Sequence, residues 1–238
     1  MLISKNKYSK NTFLEVGCFL LFVLQLVFTG CSGSLAGDAN ASNQKQEAAL
    51  FKAASNGRLH VITSLLNVGV NVNAREEEGE TPLMYAAVNG HTEAVLLLIS
   101  RGADINAVSD NNETALGRAV GMGRIDTVRA LLEKGVDVDK STDADGTPLM
   151  YASGKSHTEI VKLLLAKGVK VNAKNVNGNT ALAYAATRGA SLETVKALLE
   201  AGADVDTKDI YGKNPLMYAT EEGHTQIAIL LEEAGAKE

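Results

Sequence analysis

The sequence predicts an all-α solenoid of six stacked repeats, each a helix–turn–helix followed by a hairpin. Three observations predict it: a period of 33 residues, prolines confined to one repeat position, and glycines at two fixed places in the repeat. A period between about 20 and 50 residues is typical of a solenoid rather than of a single globule. The aligned positions are Ala48, Thr81, Thr114, Thr147 and Thr180, and Asn214 follows after 34 residues.

The alignment defines the repeats and a first helix in each. The repeats are residues 48–80, 81–113, 114–146, 147–179, 180–213 and a shorter 214–238. Thr81-Pro82 and its equivalents place an oxygen-bearing side chain at the N-cap and proline at the first helical position, where its missing N–H costs nothing. A short first helix follows, such as residues 83–88. A glycine ends it in five repeats, at Gly57, Gly90, Gly123, Gly189 and Gly223.

A second helix follows in each repeat, with apolar residues at three- and four-residue spacing such as Val95, Leu97 and Leu98. A second glycine series ends this helix, and an extended stretch with a Gly/Asn/Asp turn then suits a hairpin. We call the hairpin turn of each repeat its tip. The five tips are residues 75–80, 108–113, 141–146, 174–179 and 208–213.

The repeats closely resemble ankyrin repeats, which share this period and carry a Thr-Pro-Leu-His-x-Ala signature. The resemblance covers residues 48–238 and is clearest in TPLMYAAVNGHTEAVLLLISRGADINA, TPLMYASGKSHTEIVKLLLAKGVKVNA and NPLMYATEEGHTQIAILLEEAGA. Departures from the family pattern include Met84 at the usual His, Asn112 at a tip glycine and Ser156 at a helix-ending glycine. The resemblance implies a non-catalytic solenoid that binds protein partners on a concave surface formed by the tips and the exposed side of the first helices.

Charge is uneven along this expected binding surface, since the first three tips are acidic and lysines tilt the last two toward basic. We expect a protein partner with a basic patch, steered by complementary charge, although solvated tips without a partner are the alternative. Arg118 is a candidate because it interrupts a series of tyrosines at one first-helix position, which we expect to pack between repeats. The candidate partner-binding residues are Glu77, Glu78, Glu80, Asn89, Asp110, Glu113, Arg118, Met122, Asp143, Lys155, Arg188 and Tyr211.

The composition and the titratable residues favour a binding module over an enzyme. The net charge of −5 and the lack of a basic cluster exclude a nucleic-acid binder. His91, His157 and His224 occupy one repeat position, so they are too far apart to share a metal ion, and we expect them to hydrogen-bond the turn of their own repeat. Periodic acidic residues suit helix N-termini rather than one cleft. We predict no catalytic residue, metal or cofactor.

Residues 1–30 have the order of a secretory signal peptide: three lysines, an apolar run over residues 16–28, and then Thr29, Gly30 and Cys31. The run of about 13 apolar residues is shorter than the ~20 that a membrane-spanning helix needs. The end of the segment resembles the lipobox of bacterial lipoproteins, which implies a lipidated Cys31. An uncleaved anchor and cleavage without lipidation are the alternatives.

The lipobox resemblance also implies a location in the cell. Ser32, rather than Asp, follows the cysteine, which implies a membrane-anchored lipoprotein on the periplasmic face of the outer membrane. Residues 31–47 carry few large apolar groups and are predicted to form a flexible tether. Removal of residues 1–30 takes away three lysines and one glutamate, so the exported chain would carry a net charge of −7.

Together these features predict a monomeric, non-catalytic ankyrin-repeat module that is tethered to the bacterial envelope and binds a protein partner. The alternatives are an inhibitor, immunity or stress-protection factor for one envelope enzyme, a structural component of the envelope, and a secreted host-directed effector.

Overall fold

The computed structural model describes the backbone of residues 35–140 and 146–237, and within these ranges the side chains from residue 41 onward. The chain divides into two compact units, Met1–Ser42 and Asn43–Glu238. Residues 35–42 of the first unit begin a helix, and the second unit contains the six repeats. The predicted signal peptide, Cys31 and Asp143 lie outside the described residues.

Two helices build each repeat, as predicted. The first helices are α1 (Leu35–Ser55, of which residues 48–55 belong to the first repeat), α3 (Pro82–Val88), α5 (Ala115–Gly121), α7 (Pro148–Gly154), α9 (Ala181–Arg188) and α11 (Pro215–Glu221). The second helices are α2 (Leu59–Asn67), α4 (Thr92–Ser100), α6 (Ile125–Glu133), α8 (Thr158–Ala166), α10 (Leu192–Glu200) and α12 (Thr225–Glu233). The described residues contain no β-strand, so the predicted hairpins are turns that lack strands in the ranges given above.

The first helices begin where the N-cap residues predict. The Thr81 hydroxyl accepts a hydrogen bond from the Met84 N–H at 3.4 Å, and Pro82 is the first helical residue. Asn214 does the same through its side-chain oxygen, which accepts from the Met217 N–H at 2.9 Å. These bonds satisfy one of the free backbone donors of each short helix, which contributes about 1 kcal/mol per cap.

A continuous apolar core runs through the repeats of the second unit. The predicted apolar faces of the second helices point into it, and one leucine in each of four consecutive repeats is fully buried: Leu98, Leu131, Leu164 and Leu198. Burial of a leucine side chain contributes about 1.5–3 kcal/mol. The stacking of equivalent apolar positions therefore stabilises each interface between neighbouring repeats.

The turns between helices need left-handed backbone, and two non-glycine residues supply it where glycine is missing. The predicted glycines are left-handed, for example Gly90 with φ 76°. Ser156 (φ 58°) adopts this conformation after a first helix, and Asn112 (φ 60°) adopts it at the position of a tip glycine. Asn accepts this backbone readily, whereas Ser does so at a cost.

A ladder of side chain to backbone hydrogen bonds joins each repeat to the next. The Asn73 side-chain oxygen accepts from the Asp104 N–H at 2.8 Å, and the Asn172 oxygen accepts from the Asp204 N–H at 2.9 Å. Asn106 and Asp139 make equivalent bonds. The last bond joins Asp206 to the Lys237 N–H at 3.2 Å, so the ladder reaches the end of the described chain.

Helix α1 extends further toward the N-terminus than predicted. Its start at Leu35 places residues 35–47 in a helix, where the sequence predicts a flexible tether. Ala, Gln, Lys and Glu are good helix formers and fill the second half of this segment, so the helix of the first repeat can propagate backward through it. None of the helices in the described ranges combines the length and the apolar character that crossing a membrane requires.

Candidate functional site

Arg118 joins two carboxylates that come from two neighbouring tips. It lies on α5, and its guanidinium donates to Glu113 at 2.5 and 3.0 Å and also to Glu80. Burial disfavours the charge of Arg118, but the bonds to Glu113 and Glu80 outweigh this effect and raise its pKa. Glu80 is 5% exposed, which corrects the expectation that it belongs to the exposed acidic surface.

Two of the tyrosines that repeat along the first helices, Tyr85 and Tyr218, each bond to the tip that precedes their helix. The Tyr85 hydroxyl donates to Glu76, and the Tyr218 hydroxyl donates to Asp209. Burial, followed by the Asp209 hydrogen bond, raises the pKa of Tyr218 to about 12. Tyr85 also packs edge-on against Phe51 of the first repeat, with ring centroids 5.7 Å apart, in agreement with the predicted packing between repeats. The tyrosines thus fix the tips relative to the first helices.

A depression of about 190 Å³ opens on the exposed side of the first helices α3, α5 and α7. Four candidate residues meet here, although the sequence spreads them over more than 40 positions: Glu113, Arg118, Met122 and Lys155. Met122 is 52% exposed, and the Lys155 ammonium donates to the Gly121 carbonyl at 2.8 Å. The remaining lining residues are Val88, Gly117, Gly121 and Tyr151.

The first two tips present exposed acidic side chains. Glu77 and Glu78 are exposed, and Glu78 accepts a bond from the Asn111 side chain at 3.3 Å. Asp110 is exposed and pairs with Arg75 at 3.2 Å. A backbone bond of 2.9 Å from the Asp110 N–H to the Glu78 carbonyl holds the two tips side by side. The candidates Glu77, Glu78 and Asp110 therefore form one acidic surface.

The fourth and fifth tips present apolar side chains at the aligned positions. Val176, Ile210 and Tyr211 are 70%, 62% and 73% exposed. The Ile210 N–H donates to the Asn177 carbonyl at 3.0 Å, which joins these two tips as well. The sequence-based candidates include Tyr211 but not Val176 or Ile210. The signal was present, because the residue two places before the tip glycine changes from Glu77 to Val176 and Ile210 along the alignment.

The other candidates lie on the same side of the first helices. Asn89 is exposed, and its side chain donates to the Tyr85 carbonyl at 2.8 Å and to the Ser55 hydroxyl at 3.3 Å. Arg188 is exposed at the end of α9. Neither lines the depression. Asn89 therefore links two repeats, and a role in partner binding stays a prediction for both residues.

The sequence predicts that the recurring histidines bond to the turn of their own repeat. In the structure they bond to the preceding repeat instead. His91 contacts the Ser55 carbonyl at 2.9 Å, and His224 contacts the Thr187 carbonyl at 3.3 Å. Arg124 takes the same place in the third repeat, where its Nε donates to the Val88 carbonyl at 3.1 Å. Across residues 35–140 and 146–237, no three His, Cys, Asp or Glu side chains are grouped to hold a metal ion.

A family model described as ankyrin repeats (3 copies) matches residues 17–109, 106–175 and 171–237. The chain belongs to the ankyrin-repeat family. A search of curated proteins finds no match to this ankyrin-repeat protein. Its similarity to solved structures extends over most of its length.

Three solved ankyrin-repeat neighbours illustrate this similarity. The human ASB11 ankyrin repeat domain is 31% identical, with a TM-score of 0.72 over 79% of this chain and 84% of that one. An ankyrin repeat domain from Acinetobacter baumannii AYE is 35% identical, with a TM-score of 0.72 over 79% and 98%. A chain in the complex of the Bd0816 predatory endopeptidase from Bdellovibrio bacteriovorus with immunity protein Bd3460 is 31% identical, with a TM-score of 0.71 over 78% and 97%.

Proposed function

We propose that this ankyrin-repeat protein is a monomeric, non-catalytic binding module that holds a protein partner against its tips and the exposed side of its first helices. Ankyrin repeats are protein-interaction modules, and the family match covers all six repeats. The partner carries a basic patch that contacts the first two tips.

The observation that carries this proposal is the acidic surface of Glu77, Glu78 and Asp110. A backbone hydrogen bond holds the two tips side by side, so the carboxylates of the two repeats are presented together. Such a fixed cluster raises the rate of association with a basic partner and disfavours acidic ones. It does not serve the fold, because the exposed Arg75–Asp110 pair contributes little to stability.

Cross-linking in cells tests the acidic surface. We expect the variant Glu77→Lys with Glu78→Lys to lose the cross-linked partner that the wild type captures. Glu80 is left unchanged, because its substitution would break the buried bonds to Arg118. The control is Glu133→Lys with Glu200→Lys, which makes the same charge change at exposed ends of second helices. Equal capture by wild type and both variants would exclude the acidic surface.

We further propose that the module is anchored to the periplasmic face of the outer membrane through a lipidated Cys31. The proposal depends on the order of lysines, apolar run and Thr29-Gly30-Cys31, followed by Ser32. We expect Cys31→Ser to move the protein from the membrane fraction to the soluble fraction, while Cys18→Ser leaves it membrane-bound. Retention of the Cys31→Ser protein in membranes would mean that an uncleaved segment is the anchor.

A second candidate function is the inhibition of one envelope enzyme, as an immunity or protection factor. One similar solved structure contains a predatory endopeptidase in complex with an immunity protein, which favours this alternative over a purely structural role. If it is correct, the cross-linked partner is an enzyme, and an equimolar amount of this protein abolishes its activity. An enzyme partner that stays fully active in the complex would leave simple binding as the function.

A further inference from the structure

Two neighbouring first helices end in glycines that the backbone does not require. Gly121 ends α5 and Gly154 ends α7, and neither has the left-handed φ of the turn glycines. A Cβ added at Gly121 meets no atom within 4 Å, and one at Gly154 meets Tyr184 at an ordinary contact distance of 3.4 Å. Glycine in a helix costs about 1 kcal/mol relative to alanine. The space beside Gly121 therefore exists at the expense of helix stability.

That space is the depression on α3, α5 and α7, and its size suits one aromatic ring. Its volume of about 190 Å³ is comparable with the ~150 Å³ of a closed apolar cavity that accepts benzene, although the depression is open to solvent on one side. Val88, Met122 and Tyr151 supply apolar and aromatic lining. Met122 is half-exposed, and methionine adapts its shape and makes favourable sulfur–aromatic contacts.

The charges around the depression favour a basic flank for that ring. Of the two cations in its wall, Arg118 is paired with the carboxylates of Glu80 and Glu113, whereas Lys155 bonds to the neutral Gly121 carbonyl and keeps its charge. Glu113 keeps 37% of its side chain exposed, at the second tip. Beyond it lie Glu78 and Asp110 of the acidic surface. The side of the depression that faces these tips is therefore negative and complementary to lysine or arginine.

We propose that the depression beside Gly121 takes one aromatic side chain from an extended partner segment, with lysine or arginine residues beside it that face the first two tips. The site deepens the binding function proposed above and rests on it. A few anchor residues, often aromatic and seated in a desolvated pocket, carry most of the binding energy of a protein interface.

The test is selection of a displayed random-peptide library on the full chain, followed by fluorescence anisotropy of a selected peptide. We expect selected peptides to carry one aromatic residue flanked by lysine or arginine. Gly121→Leu fills the depression and should weaken binding about tenfold or more, as the loss of an aromatic anchor does. The control Thr187→Leu makes the same side chain at the equivalent position of α9, outside the depression, and should bind as the wild type does.

A second measurement guards against a folding defect. Replacement of the aromatic residue of the peptide by alanine should weaken binding to the wild type but change nothing for a Gly121→Leu protein that retains wild-type helicity, as expected for coupled partners. Basic peptides that lack an aromatic preference and bind Gly121→Leu normally would overturn the aromatic site and leave the acidic surface intact. Peptides that bind the Glu77→Lys, Glu78→Lys variant as well as the wild type would instead overturn the proposed function.

Discussion

At the scale of single residues, Arg118 holds the centre of the candidate site together. Its side chain is 16% exposed, and its guanidinium bonds to two carboxylates from different repeats, one of them buried. A cation placed between two carboxylates removes the repulsion that would otherwise separate the tips. Arg118 therefore stabilises the scaffold of the candidate surface, and its role in partner binding stays a prediction.

We predict that Arg118→Ala is strongly destabilising, because it leaves Glu80 buried without its cation. Loss of one partner of a buried pair costs about 3–5 kcal/mol, whereas loss of an exposed pair costs about 0–1 kcal/mol. The matched control is Arg75→Ala, which removes the exposed bridge to Asp110. Urea unfolding monitored by circular dichroism measures both, and similar midpoints for the two variants would contradict the structural role.

The Ser153 hydroxyl is buried in α7 and makes no hydrogen bond in the described part of the chain. Alanine occupies the aligned position in the second and fifth repeats, at Ala87 and Ala186, and is fully buried there. We predict that Ser153→Ala raises the free energy of unfolding by about 1 kcal/mol, because an unpaired polar group is no longer desolvated. The exposed Ser100 serves as a control, and its replacement by alanine should change stability by less than about 0.5 kcal/mol.

His157 gives stability a dependence on pH. Burial lowers the pKa of His157 below its ordinary value of 6.5. Between the folded and unfolded pKa values the unfolded chain binds more protons, so stability is complete above about pH 6.5 and is lost as the pH falls toward the folded value. We predict that His157→Gln reduces the drop in the urea midpoint between pH 7 and 5, whereas His60→Gln, at an exposed position, does not. An unchanged slope in the His157 variant would contradict this.

At the scale of elements, the residues at the two ends of each first helix specify the repeat more strongly than the residues within the helix do. A first helix of seven or eight residues is too short to be stable alone, so it depends on its N-cap, its left-handed C-terminal turn and the packing of its neighbours. The fourth repeat departs from this pattern at one point, because Ser156 adopts φ 58° where the other five repeats have glycine.

We predict that Ser156→Gly stabilises the protein by about 0.5–1 kcal/mol. The left-handed conformation costs about 1–2 kcal/mol for a residue with a Cβ, and part of the gain is offset by loss of the 3.2 Å bond from the Ser191 N–H to the Ser156 hydroxyl. Asn112→Gly is the matched comparison and should be nearly neutral, because asparagine tolerates this backbone. A larger gain at Asn112 than at Ser156 would refute the argument.

At the scale of the whole molecule, the second unit is a linear array in which each repeat contacts its neighbours. Its stability is then the sum of repeat and interface terms, and a broken interface uncouples the repeats on either side. The side chain to backbone ladder crosses each of the five interfaces between consecutive repeats. Replacement of one ladder side chain should therefore weaken the coupling between two neighbouring repeats.

We predict that Asn172→Ala uncouples the last two repeats. It removes the bonds to the Asp204 N–H at 2.9 Å and the Gly202 carbonyl at 3.0 Å, at a cost of about 1–2 kcal/mol at one interface. Native-state hydrogen exchange should show faster opening of α9–α12, with α3–α6 unchanged. The control Asn177→Ala, at the nearby tip, should leave exchange as in the wild type. Uniformly faster exchange in all repeats would indicate global rather than local loss.

Much of the fold was determined by the sequence alone, because its signals are local. An N-cap before a proline, a glycine at a left-handed turn and apolar spacing on a second helix each act within a few residues, so the repeats and helix positions could be predicted from a constant period. The acidic character of the first tips could also be predicted from the sequence, because it depends only on which residues occupy the aligned positions.

The tertiary structure decided which residues that lie far apart in the sequence come into contact. Glu80 and Arg118 are 38 residues apart, and their contact turns a predicted surface carboxylate into a buried one. The depression beside Gly121 also exists only because three first helices stack, so that a missing side chain on one becomes a space shared by all three. Exposure and cavities are properties of stacked neighbours, and a periodic sequence specifies the stacking without stating which side chains it will cover.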